Sequence, residues 1–432
     1  MITRRSFLFG ACGSMAAGGL VPGIAWSRGD PSAAEPFFHV GTYDVVPDRS
    51  LNFQINRWVS HGGEPLLREI QAMAPRLVSL DAWRNEFVAS AERAMAAGRT
   101  HDAAILLRSA EFFMTSTDPR KRSSRERFLT LMRQAYGVGR PERMPFAGGY
   151  LPFYRFVPRA PRATVVVFGG FDSYVEEFFP ILTAMRNRGF DVVAFEGPGQ
   201  GGALEDSSIP MTPDWHRPVG AILDRLSLSG VTLVGISLGG CLAIRAAAYE
   251  PRVTRVVAFD ALTDLLECIL GQLPPASQRL VRALQAARAD RLIDALQARA
   301  AHEPIREWGI AQGMHVFGVH SPSAVLRAAA AYRTQEASPL VQQDVLLLAG
   351  AEDHYVPTHQ IYDQAAWLSK ARSVTTRMFS RAEQAQNHCQ VGNLPLAIRT
   401  IAAWMDQLSG TGNGVTSDQT PRRRRSGRRP PA

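Results

Sequence analysis

Apolar positions along this chain follow two different periods, and the change from one to the other divides it. From about residue 51 to residue 137 the period is helical. Trp83, Phe87, Ala91 and Met95 fall on one helical stripe that Gly98 terminates, and a second run covers residues 102–114. Asp118-Pro119, an N-cap with proline in the first turn, is expected to open a third helix carrying Phe128, Leu131, Met132 and Ala135. A helical N-terminal domain over residues 45–140 follows, with aromatic stripes that read as core and no chemistry of its own.

At Tyr150 the period becomes that of strands. Residues 151–157 and 164–168 read as strands, the second an unbroken apolar run suited to a sheet covered on both faces. Helical and strand runs then alternate through residues 175–188, 191–195, 214–228, 231–234, 241–249 and 253–259. Such alternation predicts an α/β fold, a doubly wound, mostly parallel sheet, over residues 148–409. Between about residues 262 and 340 it gives way to Ala/Leu/Arg-rich helices, an insertion expected to cap the carboxyl ends of the strands. The sheet resumes at residues 345–348 and 373–379, and a last helix spans about 394–408.

Composition changes this picture only at the ends. With 432 residues, 46% hydrophobic and 20% charged, the chain is long enough for a large core, and disorder is excluded for its bulk. Thr3-Arg4-Arg5-Ser6-Phe7-Leu8, an apolar glycine-rich run and the small-x-small site Ala25-Trp26-Ser27 read as a twin-arginine signal peptide over residues 1–27. Periplasmic or secreted localisation is therefore expected, with the Tat translocation machinery as a partner. The net charge of +9 comes largely from Arg4, Arg5 and six arginines near the C-terminus. Residues 410–432 read as a disordered Arg-rich tail, and no specific nucleic-acid partner is expected for the folded part. Of four cysteines three lie beyond the signal, without framework spacing. No dinucleotide-binding, zinc-protease or paired-cysteine motif occurs, so neither a cofactor nor a metal is expected.

Candidate chemistry gathers around Gly235-Ile236-Ser237-Leu238-Gly239, which follows one strand and precedes a helix. A Gly-x-Ser-x-Gly turn between strand and helix holds its serine in a strained, exposed conformation. A serine hydroxyl needs a base and a third group to orient that base. Gly350-Ala351-Glu352-Asp353-His354-Tyr355-Val356-Pro357 places an acid after the next-to-last strand, and Gln386-Asn387-His388-Cys389-Gln390 a histidine after the last. Asp353 is preferred to Glu352 by its place in the loop. His354 and His359 lie in or beside the acid's own loop, which favours His388 as the base. An oxyanion hole needs two backbone amides. Leu238, directly after the serine, supplies one, and Phe171, in Gly169-Gly170-Phe171-Asp172, the other.

These residues, with Glu176-Glu177 and Gly197-Pro198-Gly199-Gln200-Gly201, resemble the α/β hydrolases that carry a helical N-terminal domain. That group includes dihydroxypseudooxynicotine hydrolase and the fungal polyketide-shortening hydrolases. The resemblance implies a Ser237, Asp353, His388 triad and hydrolysis of an ester-like bond or of a carbon-carbon bond beside a ketone. It also implies that an extra acid from the cap, Asp264 or Glu267, can assist the second reaction.

The sequence reading is thus an exported, esterase-like serine hydrolase that forms an acyl-enzyme with a small, largely apolar carbonyl substrate. A cap and a helical domain over the site leave no open cleft for a polymer. Alternatives are a carbon-carbon bond hydrolase, a short-peptide peptidase, a non-catalytic binding protein on the same scaffold and a helical adaptor. Any oligomer is expected to be a dimer.

Overall fold

The computed structural model describes Pro36 and residues 38–410 apart from residue 301; the expected signal and the arginine-rich tail beyond residue 410 lie outside them. Four helices come first: α1 (Arg49–Met73), α2 (Leu80–Ala96), α3 (Thr100–Phe112) and α4 (Lys121–Tyr136). Asp48 caps α1 by accepting from the Leu51 amide, and α1 kinks at Gly63, whose φ is 72°. The helix expected to open at Asp118-Pro119 begins three residues later. Asp118 instead closes a turn by accepting from the Arg120 amide.

The strands are β1 (Glu142–Phe146), β2 (Gly149–Phe156), β3 (Ala163–Phe168), β4 (Phe190–Phe195), β5 (Val231–Ile236), β6 (Val253–Phe259), β7 (Asp344–Gly350) and β8 (Ser373–Phe379). They form one sheet in the order β1-β2-β4-β3-β5-β6-β7-β8, parallel from β4 to β8, with β1 and β2 antiparallel at one edge. Strand β1 was absent from the sequence reading. It is a half-exposed edge strand interrupted by Pro145, the one place in a sheet where a missing N–H costs little, and so it carries no apolar run. β4, β5 and β7 are buried along their whole length, which is why their apolar runs were readable.

Helices cover both faces: α5 (Phe179–Asn187), α7 (His216–Leu226), α8 (Leu238–Ala247), α14 (His359–Trp367) and α15 (Leu394–Gly410), with a short α6 (Gly201–Glu205) after β4. Between β6 and β7 come five more, α9 (Leu265–Gly271), α10 (Pro275–Ala286), α11 (Asp290–Arg299), α12 (Pro304–Phe317) and α13 (Pro322–Ala329). Among the described residues no helix is long and apolar enough to cross a membrane. From β3 the chain goes to β4 on one side and returns to β5 on the other. The carboxyl ends of β3 and β5 therefore flank a crevice at the point where strand order reverses, where ligands bind in such sheets.

The N-terminal helices are not a separate body. Trp58, Phe87, Leu106 and Phe128 belong to the same continuous core as Val165, Phe179, Leu348 and Ile401 of the sheet domain. A buried ion network crosses the same boundary. Arg108 on α3 bonds Glu111, Glu177 and the Asp172 carbonyl, Lys121 bonds Glu111 at 2.5 Å, and Arg57 on α1 bonds Glu177. A freely detachable helical adaptor would not bury charges against its neighbour.

Candidate active site

Strand β5 ends at Ile236 and α8 begins at Leu238, leaving Ser237 as the only connection. Its φ of 61° and ψ of −126° lie where few side-chain-bearing residues settle, and its amide donates to the Phe259 carbonyl at 2.6 Å. The turn is this tight because its neighbours lack side chains. A Cβ on Gly235 would run into the Gly239 carbonyl, and one on Gly240 into the Asp260 carbonyl.

The Ser237 Oγ lies 2.8 Å from His388 Nε2, and His388 Nδ1 lies 2.6 Å from Asp353 Oδ2. The other Asp353 oxygen accepts the amides of Tyr355 at 2.8 Å and Val356 at 3.0 Å, which fixes the carboxylate's plane. Three residues from three loops, far apart in sequence, form one hydrogen-bonded chain. His354 takes no part: it is packed on Phe53 and Tyr355, and burial pushes its pKa down to about 3. His359 is tied to Asp363 and Glu267.

A fourth member was missed. Asp260, directly after β6 and 1% exposed at its side chain, places Oδ2 3.0 Å from His388 Nδ1. It also accepts the Cys389 amide at 2.6 Å and the Gln390 side-chain amide at 2.7 Å. The sequence carries only a partial signal: the apolar run 253–259 is followed by an acid at the level of the serine turn on the adjacent strand, a place that by itself does not assign a role. Neither acid considered as an extra from the cap fills this place. Asp264 caps α9 and faces Arg333 at 3.3 Å, while Glu267 bonds His359 and Gln360.

Two carboxylates on one imidazole nitrogen divide the charge unequally. Burial, reinforced by the Asp353 charge, raises Asp260 above the ordinary carboxylate value. Burial acts on Asp353 as well, but His388 and the Val356 amide overcome it and hold Asp353 low. Burial likewise opposes charge on His388. The Asp353 carboxylate and the bonds to both acids outweigh it and put His388 well above 6.5. Asp260, His388 and Cys389 bring potential ligand atoms within 4.8 Å of one another. Both ring nitrogens of His388 are already engaged, so a cation there would have to break the chain.

Phe171 and Leu238 lie beside the serine, across the gap between β3 and β5. A Cβ on Gly170 would crowd the Leu238 amide at 2.8 Å, so glycine lets the two loops meet. Among the described residues neither the Phe171 nor the Leu238 amide donates to a protein acceptor. Gln200, from the glycine-rich loop after β4, braces the Phe171 loop by donating to the carbonyls of Gly169 at 2.7 Å and Gly170 at 3.0 Å. Arg108 holds the Asp172 carbonyl from the other side.

Above Ser237 lies a cavity of about 660 Å³ enclosed by α1, the end of α3, the inserted helices and the loops of the sheet. Phe53, Phe113, Phe171, Ile293, Trp308 and Val325 give it an apolar wall, and Arg57 and His61 interrupt that wall from α1. The volume is that of a small-molecule site.

A family model for the alpha/beta hydrolase fold matches residues 163–382. The chain belongs to the alpha/beta hydrolase family. Among curated proteins, this hydrolase is similar to the hydrolyase poxO of Penicillium oxalicum, at 28% identity over 306 residues, 65% of this chain and 72% of that one. It is also similar to the hydrolase LUC6 of a Fusarium species, at 27% identity over 85% of this chain and 98% of that one. The crystal structure of 2,6-dihydroxy-pseudo-oxynicotine hydrolase superposes with a TM-score of 0.57 at 21% identity, covering 84% of this chain and 97% of that one. That likeness extends over the helical N-terminal region as well as the sheet.

Proposed function

We propose that this hydrolase is a serine esterase acting on a small, largely apolar carbonyl compound. The observation that carries the reading is the unbroken chain Asp353, His388, Ser237 at the floor of an apolar cavity. His388 Nε2 takes the Ser237 proton as Oγ attacks the carbonyl carbon, and the oxyanion forms against the amides of Phe171 and Leu238. His388 then gives that proton to the departing alkoxide, leaving an acyl group on Ser237. Water, deprotonated by the same nitrogen, displaces the acyl group as the acid and restores the serine.

Asp353 keeps the His388 proton on Nδ1 and stabilises the imidazolium; Asp260 adds to its basicity. A base works only when neutral, so activity requires a pH above the pKa of His388. The kcat/KM for a p-nitrophenyl ester is therefore expected to fall on the acid side with a midpoint above 6.5, and Asp260→Asn to move that midpoint to lower pH. A pH profile of both proteins checks this. A midpoint unchanged by the substitution would remove Asp260 from the base, and a flat profile would remove His388. Consumption of a ketone without alcohol release in a product screen would move the reading to carbon-carbon bond hydrolysis.

A further inference from the structure

Helix α1 presents Phe53, Arg57 and His61 at successive turns, and all three line the cavity above Ser237. Phe53 packs on the His388 ring with centroids 6.1 Å apart, so this end of the row marks the reacting centre. At the rise of an α-helix, His61 lies roughly 12 Å further along the axis. The row is thus a ruler with one end at the serine.

The two polar members differ in what remains free. The Arg57 guanidinium is bonded to Glu177, faces Asp172 at 3.6 Å and lies over the Trp58 ring at 4.7 Å. It is already neutralised. His61 is only 8% exposed, and burial, aided by His101 and Arg57 against Glu177, pushes its pKa down to about 3, so the ring is uncharged. Its Nδ1 is buried with no hydrogen-bond partner; among the described residues none bonds Nε2, the nitrogen left to face the cavity that His61 lines. Trp308 Nε1, on the wall beside Phe112, is buried and unpartnered as well. A buried polar group left unbonded costs about 1–3 kcal/mol, so an apolar wall that keeps such groups calls for an explanation.

We propose that His61 is a second polar subsite, which binds an uncharged hydroxyl of the substrate about 12 Å from the scissile carbonyl. This rests on the serine reading only for where the carbonyl lies. A hydroxyl both donates and accepts, so it suits either tautomer of a neutral imidazole. A carboxylate would meet Glu177 and Asp172, whose counter-charge Arg57 already shares, and an ammonium group would meet Arg57. The substrate class is an apolar carbonyl compound with a remote hydroxyl, its two oxygens separated by hydrocarbon that fits the Phe113 and Phe171 walls.

The test compares p-nitrophenyl decanoate with its ω-hydroxy derivative, and repeats the pair on hexanoate, whose chain is too short to reach. In the wild type the hydroxyl is expected to raise kcat/KM about tenfold on the long chain and not on the short one, the strength of one neutral hydrogen bond. The gain should vanish in His61→Phe and persist in part in His61→Gln, which keeps a donor and an acceptor. Calorimetric binding of methyl decanoate against its ω-hydroxy derivative to the Ser237→Ala variant reads the subsite without turnover, since the two differ only in the remote hydroxyl. Equal affinity for the two esters overturns the proposal even if ester hydrolysis requires Ser237. Tighter binding of the hydroxy ester without Ser237-dependent turnover in the wild type upholds the subsite and overturns the serine reading instead.

Discussion

Ser237→Ala is expected to lower kcat for a p-nitrophenyl ester by about 10⁶-fold, and His388→Ala by a similar factor, with the double variant no worse than either. The three results coincide because each single change removes the same step. With no Oγ the base has nothing to deprotonate, and with no imidazole the hydroxyl keeps its proton at neutral pH. The hydrogen bond of 2.8 Å between them is the contact both variants break. What activity remains is expected to come from the proposed oxyanion amides of Phe171 and Leu238 and from the cavity that orients the substrate. Additive losses in the double variant would mean that the two residues act in separate steps.

The second large effect concerns stability. Arg108→Met is expected to cost about 3–5 kcal/mol, read from denaturant midpoints, because it leaves two buried carboxylates short of a cation. Arg108 is 2% exposed, and it bonds Glu111 and Glu177, which are themselves almost fully buried. Burial alone would raise both acids. Lys121 and Arg108 at Glu111, and Arg108 and Arg57 at Glu177, reverse this and hold both below 4.5. A carboxylate with a depressed folded pKa contributes stability that is complete above its unfolded value and is lost as pH falls through the folded one. The deficit of the variant should therefore be largest near neutral pH and shrink below about pH 4.5. A variant as stable as the wild type at neutral pH would show that the network carries no net stabilisation. Since Arg108 also holds the Asp172 carbonyl, its loss slackens the loop that carries Phe171.

The parallel strands were legible because strands covered on both faces must be apolar throughout, as in Val231 to Ile236 and Val345 to Leu348. The half-exposed β1, with proline at its fourth position, gave no such signal. Ser237, Asp353 and His388 were legible because loop order after successive strands constrains which residues can meet, and the structure brings all three together. Asp260 was not, although it sits one residue beyond the run 253–259. An acid at a strand end has many structural uses, and only its contact with His388 gives it this one. The cross-domain partners Arg57, Arg108 and Glu177 were hidden for a different reason. They lie 51 residues apart or more, and no periodicity links a helix surface to a loop on another layer.

The most direct measurement of the central claim is covalent labelling with a fluorophosphonate probe, located by peptide mass spectrometry, in the wild type and in the Ser237→Ala and His388→Ala variants. One adduct is expected, on the peptide containing Ser237, formed rapidly by the wild type, absent from Ser237→Ala and strongly slowed in His388→Ala. An active, folded wild type that forms no adduct at Ser237, or a Ser237→Ala variant that still hydrolyses the ester at the wild-type rate, would contradict it.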